Sequence, residues 1–124
     1  MEYAEFKNMC EAITLGDKQV PEDNVFIAII NTAMIDIANK TAPFSLISKD
    51  VTDEPLRYID DIYFVKKPTK IVQNSDLIIL DDDLIGALAH RCCESFVSKD
   101  MRNYHNQKMW EIINNFNWSK TWKR

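Results

Sequence analysis

Glycine is almost missing from this sequence: there are two in 124 residues. Turns that need positive φ are therefore scarce, which argues against a β-sandwich or barrel and toward helices. There is no run of about 18 apolar residues, so no membrane span is expected. The longest apolar region, VFIAIINTAMIDIA, is interrupted by Asn31, Thr32 and Asp36. The opening MEYAEFKNMCEA has neither a basic n-region nor an apolar h-region, so no signal peptide is expected. Cysteine is limited to three residues, two of them adjacent (Cys92 and Cys93), and no CxxC occurs. Neighbouring cysteines rarely suit a disulfide with each other, so reduced, buried thiols in an intracellular setting are expected. GxSxG, HExxH, a glycine-rich phosphate loop and a conventional Cys–His signature are all absent. Nothing in the pattern calls for an enzyme, a cofactor or a metal.

What is present is an ordinary globular composition, 46% hydrophobic and 27% charged, in a length suited to one domain. Residues 1–116 read as a single helical domain and 117–124 as a basic aromatic tail. The net charge of −4 is unevenly spread. The first 61 residues carry 12 acids and 5 bases, and the remainder 7 acids and 10 bases. A bipolar small protein is suited to stacking on copies of itself or to bridging two partners.

Apolar spacing predicts four helices. The first spans 2–15, with Tyr3, Phe6, Met9 or Cys10 and Ile13 on one face, and ends at Gly16-Asp17. The second begins at Pro21, with Glu22 and Asp23 at its positive end, and stops before Pro43. Phe26, Ile30, Ala33 and Ile37 form one stripe, and Ile27, Met34 and Ile35 form another. A face this wide implies burial on more than one side. Residues 44–56 read as a surface loop. RYIDDIYFVKKP and KIVQNSDLIIL are rich in strand formers, which predicts a β-hairpin or extended arm over about 57–80. The third helix starts at Asp81–Asp83 and carries two lines, Leu84, Leu88, Cys92, Phe96 and Ile85, Ala89, Cys93, Val97. The last runs over about 100–116 with Asp100 as cap. The expected class is mainly α, a small bundle of about four helices with the extended excursion between helices 2 and 3.

The aspartate triplet has a plain reading. Asp81 or Asp82 caps the third helix and Asp83 occupies its first turn, where carboxylates meet free N–H groups and the positive end of the dipole. A calcium loop needs alternating acids, a central glycine and a distal glutamate, and LDDDLIGALAHR has no such order. His90 lies two turns from Asp83, too far to share an ion, and falls with Arg91 and Glu94 on a polar strip. His105 is a second, isolated histidine.

Two clusters combine bases with aromatics. Lys66, Lys67 and Lys70 flank Pro68 next to Tyr63 and Phe64. Lys120, Lys123 and Arg124 interleave with Trp118 and Trp122. Such clusters can clamp phosphates and stack bases, but a pI near 5.1 departs from the usual basic footprint of a nucleic-acid binder. Tryptophans one turn apart beyond a helix fit a peptide that docks on a partner.

IANKTAPFSLI, then YFVKKPTKI, then LDDDLIGALAHRCCESFVSKDM, resembles the helical head–tail connector (adaptor) proteins of tailed bacteriophages. In these an aromatic–basic–proline segment precedes an acidic helix start. The resemblance covers roughly residues 22–100. It implies a structural virion protein of the neck, made in the host cytoplasm. Its partners would be copies of itself in a ring, commonly of twelve, together with the portal and a neck or tail protein. DNA would pass through the channel without sequence-specific binding, and no membrane would be involved. Docking on the portal or tail would fall to Trp118, Trp122, Lys120, Lys123 and Arg124. Subunit contacts would fall to Ile27, Met34, Ile35, Tyr63 and Phe64. Competing expectations are another neck component such as a tail-completion protein, a small intracellular regulatory or nucleic-acid-binding protein, and an enzyme using the aspartate triplet.

Overall fold

The helical periodicity becomes four helices: α1 (Tyr3–Ile13), α2 (Asp23–Lys40), α3 (Asp82–Glu94) and α4 (Lys99–Ser119). The structure is a computed structural model and describes residues 1–119, with the side chains of 118 and 119 excepted. Between α2 and α3 lie a 3-10 turn (Phe44–Leu46) and three short strands, β1 (Ile47–Ser48), β2 (Pro55–Tyr58) and β3 (Phe64–Lys66). The chain is thus mainly α with a small sheet between its second and third helices, as the sequence predicts. Among the described residues no helix is long and apolar enough to cross a membrane.

The helices enclose one core. Phe26 of α2 is at its centre, stacked on Phe6 of α1 and met edge-on by Tyr3 and by Phe96, all with centroids 6.1–6.2 Å away. Ring pairs of this kind add to the area they bury. α3 packs most extensively on α4 and also touches α1 and α2. α3 approaches α4 closely at Gly86, where a Cβ would stand 3.2 Å from Ile112 Cδ1. The turn after α1 uses left-handed backbone at both Leu15 and Gly16 (φ 56° and 77°). That conformation is strained at the leucine, whose Cβ crowds the carbonyl.

The strands depart from expectation. The sheet has order β1-β3-β2, both pairs antiparallel, with Val65 facing Ile47 on one side and Arg57 on the other. A bulge separates Pro55 from Arg57. The segment expected to be a surface loop therefore supplies the 3-10 turn, β1 and the start of β2. KIVQNSDLIIL, expected as the second arm of a hairpin, stays outside the sheet. The physical reason lies at its start. Pro68 has no N–H to donate, and the Asp76 carboxylate accepts from Val72 N and Gln73 N at 2.8 and 3.1 Å, curling the backbone away from a ladder. Further along, this segment meets the N-terminus through Ile78 N→Met1 O (2.8 Å) and a bridge between Leu77 and Glu2.

Two helix starts also differ. α2 begins at Asp23 rather than Pro21, and Asp23 accepts from Tyr3 Oη, Lys7 Nζ and Asn74 Nδ2 at 2.7–3.3 Å. α4 begins at Lys99 after Ser98, whose N and Oγ donate to Asp17 at 2.7 and 2.8 Å. Asp100 falls inside the first turn, and α4 runs three residues past the expected end at Phe116.

Polar side chains then fix the excursion to the helices. The Arg57 guanidinium reaches the carbonyls of Ala38 and Thr41 at the C-terminal end of α2, where the dipole favours a cation. In mid-helix, Asn31 holds Ile71 by two bonds, Nδ2→Ile71 O (2.7 Å) and Ile71 N→Oδ1 (2.8 Å). Asn31→Leu removes both bonds and strands two backbone groups, so it should cost about 1–3 kcal/mol in urea unfolding. The exposed neighbour substitution Thr32→Ala should stay within about 0.5 kcal/mol. Hydrogen exchange should accelerate first at Ile71.

Candidate functional site

The Asn31 clasp draws the chain after β3 across the face of α2 and leaves a groove of about 440 Å³ between them. One wall is α2, with Asn31, Thr32 and Ile35. The other is Lys67, Pro68, Thr69 and Lys70, with Glu54 beside them and Met34 at the floor. Lys67 is fixed twice against Glu54, by its N–H to the Glu54 carbonyl (2.9 Å) and by Nζ to Oε1 (2.7 Å). Both side chains are half-exposed or more, so this ion pair contributes little stability. The groove thus has an apolar floor and a lysine-bearing rim.

The residues expected to face a neighbouring subunit separate here. Ile35 is 44% exposed and lies in the groove, while Ile27 and Tyr63 are half-buried. Met34 and Phe64 are not surface residues: they are 2% and 4% exposed. Met34 turns with the Phe26–Ile30–Ile37 stripe into the core. Phe64 is covered by Tyr58, whose ring centroid is 5.5 Å away. Tyr63 instead closes the β2–β3 turn, its carbonyl accepting from Ile59 N and Asp60 N.

The aspartates also divide. Asp83 occupies the first turn of α3 as expected, and Asp82 lies in that turn with it rather than at the cap. Asp81 stands at the N-cap position, but its side chain makes no capping bond there. Its two oxygens accept instead from Phe44 N and Ser45 N, at 2.7 and 2.8 Å. It therefore caps the 3-10 turn after α2 and ties the start of α3 to the end of α2. Lys120, Trp122, Lys123 and Arg124 lie outside the described residues, as does the side chain of Trp118.

The structure brings together residues that looked unrelated. His90 and His105 meet across the α3–α4 seam, Nδ1 to Nδ1 at 2.9 Å. Tyr104 packs on both rings. Burial lowers both imidazole pKa values, His90 to about 4, where the neighbouring His105 and Lys108 add to the effect. Both rings are therefore neutral near pH 7, and one Nδ1 donates to the other. His105 Nε2 is buried without a hydrogen-bond partner. An unpaired buried acceptor is tolerated better than an unpaired N–H. This places the proton of His105 on Nδ1, so His105 donates and His90 accepts. The expected polar strip is accordingly a packed one. Arg91 pairs with Asp36 of α2 through Nε at 2.9 Å, and Glu94 keeps one buried oxygen without a partner.

The three cysteines are free and buried, as expected. Cys93 Sγ donates to the Cys10 carbonyl and Cys10 Sγ to that of Ala89, at 3.7 and 3.9 Å. The hydrogen bond with Cys93 and then burial push the Cys10 thiol up, and burial does the same to Cys92. Neutral buried thiols are poor nucleophiles. Among the described residues no group of three or more His, Cys, Asp or Glu is placed to hold a metal ion.

The histidine seam has a pH signature. The folded His90 pKa lies below its usual 6.5, so the unfolded chain takes up the proton first. The contribution of the pair should be complete above the usual histidine pKa of 6.5 and be lost as pH drops from there toward 4. The hydrogen-bonded carboxylates Asp17, Asp23 and Asp36 have pKa values lowered from 3.8, so their own losses come at lower pH. Melting temperature followed from pH 7 to 4.5 should therefore decline in the parent and stay nearly flat in His90→Gln/His105→Leu.

Comparison of the chain with known protein families, with curated proteins and with solved structures finds no match.

Proposed function

We propose that this chain is a head–tail connector of a tailed bacteriophage: a non-enzymatic subunit that assembles into a ring, joins the portal to the neck or tail, and extends the DNA channel. The observation that carries the reading is the sheet excursion between α2 and α3. Around it the chain exposes Val51 (94%), Tyr58 (64%) and Ile62 (55%), and Ile35 is exposed in the groove beyond the other end of β3, although the helical core is closed without them. Apolar groups left in water beside a complete core favour a contact surface. The uneven charge gives such contacts a direction, since an acidic N-terminal half can face a basic C-terminal half of the next copy. The resemblance noted above runs through α2 and the excursion, the elements that build this surface, and on into α3.

In this reading the subunit works by repetition. Each contact is modest, and closure of a ring makes many of them act together. The end of α4 with Trp118 and the residues after it with Trp122 are the portal- or tail-docking element, and DNA passes the ring without base-specific contacts. The exposed lysines 67 and 70 favour a second reading, a small nucleic-acid-binding protein, which predicts salt-sensitive DNA binding by the monomer.

Native mass measured across concentration, with and without a co-expressed portal, tests the proposal. A closed ring, or recruitment to the portal in fixed stoichiometry, is expected. A ring of six in place of twelve would favour a tail-completion protein, and a monomer that ignores the portal would overturn the reading. Trp118→Ala/Trp122→Ala should abolish recruitment by portal or tail and leave the melting temperature unchanged. Unaltered recruitment would remove the tail from the docking role.

A further inference from the structure

We infer that the groove beside α2 receives the β2–β3 turn of a second copy of this chain, in a head-to-tail contact. The inference rests on the assembly reading above and names the two surfaces that make it.

The groove defines what fits it. Its apolar lining is Met34, Ile35 and Pro68, and its charged groups are Lys70 and the Lys67–Glu54 pair. The complementary segment presents an apolar side chain flanked by a carboxylate. The turn between β2 and β3 does so, because Asp61 and Ile62 are exposed side by side at its tip and Tyr58 is exposed at its base. It is also rigid. Asp60 Oδ1 accepts from Ile62 N and Tyr63 N, both at 2.8 Å, and Tyr63 O accepts from Ile59 N and Asp60 N at 2.9 and 3.2 Å. A preformed tip loses little conformational freedom on docking.

A copy is not built to fill its own groove. The tip and the lysine rim lie at opposite ends of β3, whose three residues, Phe64–Lys66, span roughly 10 Å at about 3.3 Å each. The contact therefore joins different patches on two copies. A heterologous contact of this kind repeats from copy to copy and closes into a ring when the rotation allows. The charges fix its polarity: Asp61 of one copy meets Lys70 of the next, Lys67 being already paired with Glu54, whereas tip against tip sets like charges together.

Charge reversal at both ends tests this. Asp61→Lys and Lys70→Glu are exposed substitutions, and circular dichroism confirms that each variant remains folded. Each alone should raise the concentration for half-assembly, read by native mass spectrometry, at least about tenfold. An equimolar mixture of the two should recover assembly to within about threefold, because alternating copies restore every opposite-charge pair. Assembly that is insensitive to both reversals, or reversals that the mixture does not rescue, would overturn the tip-in-groove contact and leave the ring reading standing. A chain that is monomeric at every concentration would overturn the contact as well. Recruitment of that monomer by a co-expressed portal would still preserve the connector reading, and its absence would remove both.

Discussion

Asn31 sits in the middle of a helix, where its backbone groups are already paired, so its carboxamide acts as a detached peptide group projecting from α2. It offers one donor and one acceptor side by side, and Ile71 answers with its carbonyl and its N–H. A chain that has just left β3 through a proline has no ladder to join, and this pair supplies the missing partner. Much follows from it. Ile71 becomes a buried core residue, the lysine-bearing segment before it is held over α2 as a groove wall, and the chain is aimed toward Ile78, Leu80 and the start of α3. Without the clasp, the 67–76 segment would keep the two Lys67–Glu54 bonds at its start, its own Asp76 turn and the reach of Asn74 to Asp23.

Several other polar ties share a pattern: one end of each is at α2 or its flanks. Arg57 binds carbonyls at the C-terminal end of α2, Asp36 on its flank takes Arg91 and Lys40, Asp23 at its start gathers Tyr3, Lys7 and Asn74, and Asp81 reaches the turn just after it. Most of these pairs are partly exposed, so their net worth is small, each about 1 kcal/mol or less. Their value is in register. A hydrophobic face as broad as that of α2 accepts neighbours at several rotations, and polar bonds with defined geometry select one. Hydrophobic burial supplies the stability, with Phe26 alone contributing roughly 2–3 kcal/mol, and the polar set decides which packing is reached.

Much of this was legible in the sequence. Helix number, order and approximate limits follow from apolar periodicity, because helix-spaced stripes such as Phe26–Ile30–Ala33–Ile37 have few other ways to be buried. The strands were less legible. A stretch such as KIVQNSDLIIL has strand-forming side chains, but the Asp76 carboxylate captures the backbone donors of Val72 and Gln73 that a ladder would need. Asp81 shows the same limit: an aspartate at a helix start is read as that helix's cap, yet the better donors were two N–H groups 36 and 37 residues earlier. Burial of Met34 was ambiguous because it sits at the border between two apolar stripes. The histidine pair did have a signal. α3 and α4 are joined by a short link at 95–98, so an antiparallel pair brings together residues at similar distances from it, and His90 and His105 lie about two turns from the link on either side.

The sheet's size bears on where contact with other molecules can arise. A three-stranded sheet of two-, four- and three-residue strands is too small to hold together in water by itself. It persists because Val65 is buried and Arg57 is bound to the end of α2. Its conformation is therefore set by the helices while its tips, Val51 and Ile62, point out of their reach. Exposed apolar tips on a floppy loop would be a liability for non-specific association. On a frame held by α2 they have one geometry and so can select one partner surface. The same helix forms a wall of the groove, so tip and groove are both referenced to a single rigid rod. Any contact that repeats between copies inherits its angle from that rod, which is the condition for identical subunits to close on themselves rather than aggregate.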